Sequence, residues 1–173
     1  MDILVAPIAT DVTRGTLRFR NFAFPCALGR SGVSTDKHEG DGATPVGRFA
    51  LKRVLYRGDR LMPPTTRLPI APIARDDGWC DAPEDPNYNR PVKHPYPASA
   101  EVLWREDGLY DVVVVLGHND DPVVPYAGSA IFMHVAAPHY TPTAGCVALA
   151  REDLLSVLRA LSGATYIDIR AAL

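Results

Sequence analysis

The sequence predicts a single, mainly β domain with one helix on its C-terminal side, and three observations carry that prediction. Sixteen prolines and thirteen glycines are spread along the whole chain and cut it into short segments, as the turns of a β-rich fold require. Most of those segments are rich in β-branched or aromatic residues, and several alternate apolar with polar. Only one stretch keeps a helical period. At 173 residues the chain is long enough for one hydrophobic core and too short for two comfortable ones, so residues 1–173 are expected to form one domain.

Taken in order, the strand candidates are residues 2–7 (DILVAP), 16–20 (TLRFR), 22–29 (FAFPCALG), 47–56 (GRFALKRVLY), 109–117 (LYDVVVVLG), 130–136 (AIFMHVA), 145–150 (GCVALA) and 165–170 (TYIDIR). The helix is predicted from about Arg151 to Ser162. There Leu154, Leu155, Leu158 and Leu161 make one apolar face, Glu152 and Asp153 occupy the first turn, where the helix dipole favours negative charge, and Gly163 follows as a stop. Between Gly58 and Ala100 the chain is dense in Pro, Asp, Asn and Arg and keeps no period. A loop of that length inside a compact domain is expected to serve a function.

Composition narrows the function classes. A formal net charge of -2 gives no electrostatic attraction for nucleic acid. The longest apolar runs, VVVVLG and AIFMHV, are far shorter than the ~20 residues of a membrane-spanning helix, so no membrane span is expected. The N-terminal stretch MDILVAPIATDVTRG has neither the basic segment nor the long apolar run of a secretory signal. That reading points to the cytoplasm or to an unusual route of export.

Three cysteines, Cys26, Cys80 and Cys146, are an odd number without CxxC spacing, which argues against a disulfide framework and a thiolate zinc site. A mixed set of Cys80, His118, His134 and Cys146 also lacks ligand spacing, and no metal is expected. Thiol chemistry needs a cysteine, a base and backbone donors for an oxyanion. His134 ends an apolar strand, Cys146 follows after a polar loop, and Gly145 allows a tight turn that aims the Gly145 and Cys146 amides at a carbonyl. Paired with His134, the thiol is expected to ionise well below the ~8.5 of a free cysteine. His139, in the loop, is a second candidate base. On spacing alone Cys146 is either a nucleophile or a small buried hydrophobe. Cys26, between FAFP and ALG, fits burial; Cys80, among acidic neighbours that raise a thiol pKa, is the second-ranked nucleophile.

Two spaced segments carry a family resemblance. GSAIFMHVAAPHYTPTAGCVAL resembles the signature of the L,D-transpeptidase catalytic domain (YkuD-like) family, in which a histidine ending one strand is followed by a loop and a Ser/Thr-His-Gly-Cys stretch. KHEGDGATPVGRFAL resembles that family's substrate-facing segment, and DGWCDAPEDPNYNR and LYDVVVVLGHND are similar to segments of its short proteobacterial branch. The resemblance spans about residues 30 to 160. It implies a β-sandwich of mixed sheets, Cys146 as nucleophile, His134 as base oriented by a backbone carbonyl, Gly145 and Cys146 as oxyanion donors, and Thr143 in the Ser/Thr position. It also implies acyl transfer through a thioester on peptidoglycan stem peptides, both donor and acceptor, without a cofactor, and acylation by carbapenems. The periplasm would then be the place of work.

Two positions depart from the family pattern. Ala144 replaces the histidine before the glycine, and Ala148 the arginine two residues after the cysteine. Since that arginine suits a carboxylate, recognition is expected from the long loop, with Arg90, Asn89, Tyr88 and Trp79 as a wall and His118 and Asn119 at the same rim. Lys37, His38, Glu39 and Asp41 read as a solvated charge cluster. A hydrolase cutting the same bond and a non-catalytic wall-binding module are the alternatives.

Overall fold

The computed structural model describes residues 2–163 and 165–172. The chain opens on a meander in which β1 (Ile3–Ile8), β2 (Asp11–Phe19) and β3 (Phe22–Ala27) pair antiparallel. Gly15, Leu17 and Phe19 are buried while Arg18 between the last two is exposed, the period of two that a half-buried strand imposes. Two-residue strands β4 (Val33–Ser34) and β5 (Thr44–Pro45) pair in parallel and bracket a glycine-rich loop. The ten-residue β6 (Gly47–Tyr56) matches its predicted bounds and carries the short β7 (Ile70–Pro72) parallel to its last residues.

The long segment after Gly58 is not all loop. In it β8 (Asp77–Cys80) and β9 (Pro91–Lys93) join β10 (Ala100–Val102) in a small antiparallel sheet with β8 at its centre. The chain then returns through β11 (Val112–Leu116), β12 (Phe132–Val135), β13 (Val147–Leu149), helix α1 (Arg151–Ala160) and β14 (Tyr166–Ile169).

The main sheet runs β11-β12-β13-β3-β2-β1-β14-β6, and β6 pairs again with β11, from Val112 opposite Tyr56 to Leu116 opposite Leu51. The ladder therefore closes on itself, and a barrel-like sheet describes the pairing better than two separate layers. Its pairing is mixed, with β1–β14 and β12–β13 parallel. The fold is mainly β with one α-helix, as the sequence predicts.

Two apolar clusters explain why β11 reads VVVVL with no alternation. Val112, Val114 and Leu116 join a cluster with Met133, Val147 and the α1 residues Leu154, Val157 and Leu158. Val113 and Val115 join Trp79, Tyr110, Phe132 and Cys146 in the second. A strand covered on both faces needs an apolar residue at every position. Burying Leu154, Val157 and Leu158, each fully covered, removes apolar surface worth ~1.5–3 kcal/mol per side chain and fixes α1 beside β12.

Candidate active site

The site forms where β12 and β13 lie side by side. They are parallel, with Met133 opposite Val147 and His134 opposite Ala148, so the polar loop between them is a crossover and not a hairpin. Phe132 and His134, two residues apart, point to the same face of the sheet, toward the second cluster. Gly145 ends the crossover at φ 140°; a Cβ there would lie 2.8 Å from the carbonyl oxygen of Ala43, so only glycine fits. Thr143 pins the approach. Its amide donates to Leu28 O at 2.9 Å, its carbonyl accepts from Arg30 N at 2.8 Å, and its hydroxyl donates to Cys146 O at 2.7 Å.

Cys146 is 8% exposed. The Phe132 amide donates to Sγ at 3.3 Å, and the thiol donates to Ala130 O, also at 3.3 Å. Burial, and after it the Glu101 carboxylate, push the thiol up to about 12, against the smaller opposing pull of the Phe132 amide and Lys37. His134 is 6% exposed and packs edge-to-face on Tyr110 at 5.3 Å between ring centres. Its Nδ1 lies 2.8 Å from Val135 O. A carbonyl only accepts, so Nδ1 carries the proton and Nε2 keeps its lone pair. Burial brings His134 down to about 4, and the ring is neutral at pH 7. The two side chains line one cavity of about 470 Å³, yet share no hydrogen bond among the described residues. The expected depression of the thiol pKa by His134 is therefore absent in the resting site, because desolvation outweighs any pairing.

The Gly145 amide does not face the cavity as a free donor, because it donates to Thr143 Oγ1 at 3.1 Å. No backbone acceptor takes the Cys146 amide among the described residues. Of the two expected oxyanion donors, Cys146 N–H is the one left open. Ala144, in the family's histidine position, is an exposed residue of the cavity rim, and Ala148 is buried in the ladder.

The substrate wall expected from the long loop lies elsewhere. Trp79, Asn89, Arg90 and His118 do come together, around a separate cavity of about 390 Å³ that holds neither Cys146 nor His134. Arg90 is ion-paired with Asp120 at 2.8 Å and also donates to its carbonyl. His118 sits 2.9 Å from Ala127 O, and Asn119 clamps its own loop through Val124 and Gly128. Tyr88 is buried and donates to Glu39 Oε2 at 2.5 Å. These are framework contacts. His139 is exposed and lies outside the Cys146 cavity. Cys80 and Cys26 are buried free thiols outside it, and burial raises both.

What the sequence reading missed is the charged lining. Glu39, Asp81 and Glu101 face the cavity together with Arg30, Lys37 and Arg105. Glu101, from β10, accepts from Tyr110 OH at 2.8 Å and is raised by burial; Asp81 Oδ1 is buried without a partner. Lys37 and Glu39 belong to the cluster read as solvated. Their place in the segment KHEGDGATPVGRFAL, which resembles a substrate-facing one, was the available signal.

A cysteine and a neutral, oriented imidazole on one charge-lined cavity are the parts of a thiol acyl-transfer centre. Residues 9–169 match the family model of the L,D-transpeptidase catalytic domain, YkuD, and the chain belongs to that family. No curated protein matches the chain.

Proposed function

We propose that the chain transfers the acyl group of a peptidoglycan stem peptide through a thioester on Cys146, cutting an L-to-D bond after meso-diaminopimelate or after L-alanine. The observation that carries this reading is that Cys146 and His134 line one cavity, with His134 Nδ1 held by Val135 O so that Nε2 is the basic nitrogen of the ring. As Sγ attacks the carbonyl carbon, Nε2 takes the thiol proton, so charge develops only as the bond forms. The Cys146 amide receives the oxyanion. Collapse expels the D-residue's amine, which takes the proton back from Nε2 and leaves the thioester. An amine of a second stem then attacks the thioester and regenerates the thiol, giving a cross-link. Glu39, Glu101 and Arg105 supply both signs of charge around a zwitterionic stem. Assembled wall, as substrate, puts this work in the periplasm.

Hydrolysis is the second reading, favoured by the size of the cavity: about 470 Å³ takes the end of one stem, and water needs little further room. Incubation with stem tetrapeptides, followed by mass spectrometry, separates the two. Cross-linked dimers mean transpeptidation, tripeptides alone mean hydrolysis, and an unchanged substrate contradicts both.

A further inference from the structure

Asn89 reaches the thiol through a single backbone residue. Its side-chain oxygen accepts from Trp79 Nε1 at 2.9 Å and from the Ala130 amide at 3.0 Å. Its side-chain nitrogen donates to His118 O and Asn119 O at 3.1 and 2.7 Å. All four bonding positions of a primary carboxamide are thus used, which fixes the orientation of the group. Ala130 has φ 52°, the left-handed region that a residue with a Cβ rarely adopts, and the carbonyl it turns inward is the one that accepts the Cys146 thiol hydrogen at 3.3 Å. Strain of this kind persists where the surroundings over-determine it. Here Asn89, 5% exposed, is the side chain that holds the Ala130 amide.

We propose that Asn89 is a positioning residue that latches Cys146 as a neutral thiol: by holding Ala130 in its left-handed conformation, it presents the carbonyl that binds the S–H hydrogen. The inference rests on the reading of Cys146 as the reactive thiol. The latch opens when a substrate carbonyl enters and the hydrogen turns from Ala130 O to His134 Nε2. A hydrogen bond donated by the neutral form disfavours ionisation, so the latch protects the thiol from alkylation and oxidation at rest.

Asn89 itself has φ 55°, so glycine is the substitution that removes the side chain while keeping the backbone, and alanine is not. The test is the S–H stretching band of Cys146, taken as the infrared difference between the wild type and Cys146→Ala. In the wild type the band should lie below that of a free thiol. In Asn89→Gly, checked for fold by near-ultraviolet circular dichroism, it should move up, and iodoacetamide should alkylate Cys146 about tenfold faster at pH 8, the effect of one lost hydrogen bond on a thiol ionisation. A folded Asn89→Gly with an unmoved band and rate would overturn the proposal. Should that variant not fold, a wild-type band at the free-thiol position overturns it alone. None of these readings needs turnover, so a failure of the acyl-transfer assignment is seen separately, as absent product.

Discussion

The Sγ atom of Cys146 lies 3.3 Å from the carbonyl oxygen of Ala130, and that backbone oxygen, not His134, holds the thiol hydrogen at rest. Both side chains are more than nine-tenths buried, and burial moves their ionisations apart: the thiol up to about 12, the imidazole down to about 4. A preformed thiolate–imidazolium pair is therefore unfavourable at this site. General-base transfer during attack avoids it.

Cys146→Ala should abolish acylation by a carbapenem and leave the fold intact, since the change removes one small buried atom. Cys80→Ala should label like the wild type, because Cys80 is buried outside the cavity. Intact-mass spectra of the two variants after incubation check both. The reverse pattern would move the nucleophile to Cys80.

His134 gives stability a pH dependence whose sign is set by its lowered pKa. The unfolded chain binds a proton near 6.5 and the folded chain only near 4, so stability is full above about 6.5 and falls as pH drops through that window. The loss at pH 4 is up to about 3 kcal/mol, an upper bound from the full shift. His118, lowered by burial, acts in the same direction, while Glu101, raised, acts oppositely. Urea midpoints at pH 7 and pH 4.5 for the wild type and His134→Gln isolate the part due to His134. The variant should lose less than the wild type; equal losses would mean that the ring is not held neutral.

Glu101→Gln removes the charge that, after burial, does most to raise the thiol, and keeps an acceptor for Tyr110 OH. Cys146 should then ionise lower and react faster with iodoacetamide, by several-fold at pH 8. An unchanged rate would mean that solvent screens the carboxylate from the thiol.

Arg90→Ala should leave thiol alkylation and the rate of acyl transfer within about twofold of the wild type, and should cost no more than about 1 kcal/mol of stability. The side chain is 43% exposed and pairs with Asp120 around the other cavity. A tenfold loss confined to stems with a free carboxylate would return Arg90 to the binding site.

Legibility in the sequence followed the length over which a pattern is kept. The helix is legible because Leu154, Leu158 and Leu161 hold one face over two turns; it ends at Ala160, two residues before the predicted end at Ser162. β6 keeps ten residues in one strand and was bounded correctly. β7, β9 and β10 have three residues each, two of them containing proline, which is too short for any period to register. The segment after Gly58 therefore reads as a loop with a binding surface, whereas Trp79 packs edge-to-face on Phe132 and Asn89 holds the Ala130 amide, both at the start of β12. Cys146 and His134 can be placed on one cavity from the sequence because they lie within one contiguous motif, whereas the turn of the Gly145 amide onto Thr143 Oγ1 has no sequence signal. Glu39, Asp81, Glu101 and Arg105 cannot be placed there: they come from separate loops and strands, and only closure of the fold gathers them.

The most direct test of the account is to trap the acyl-enzyme. The protein, mixed with a stem tetrapeptide and quenched in acid within the first turnovers, should show by intact mass a single acyl adduct: the peptide minus its terminal D-residue if the bond after meso-diaminopimelate is cut, or L-alanyl alone if the bond after L-alanine is. Digestion should place that adduct on the peptide containing Cys146, and hydroxylamine should remove it, as for a thioester. An adduct on another residue, or product formed by Cys146→Ala at the wild-type rate, would contradict the account.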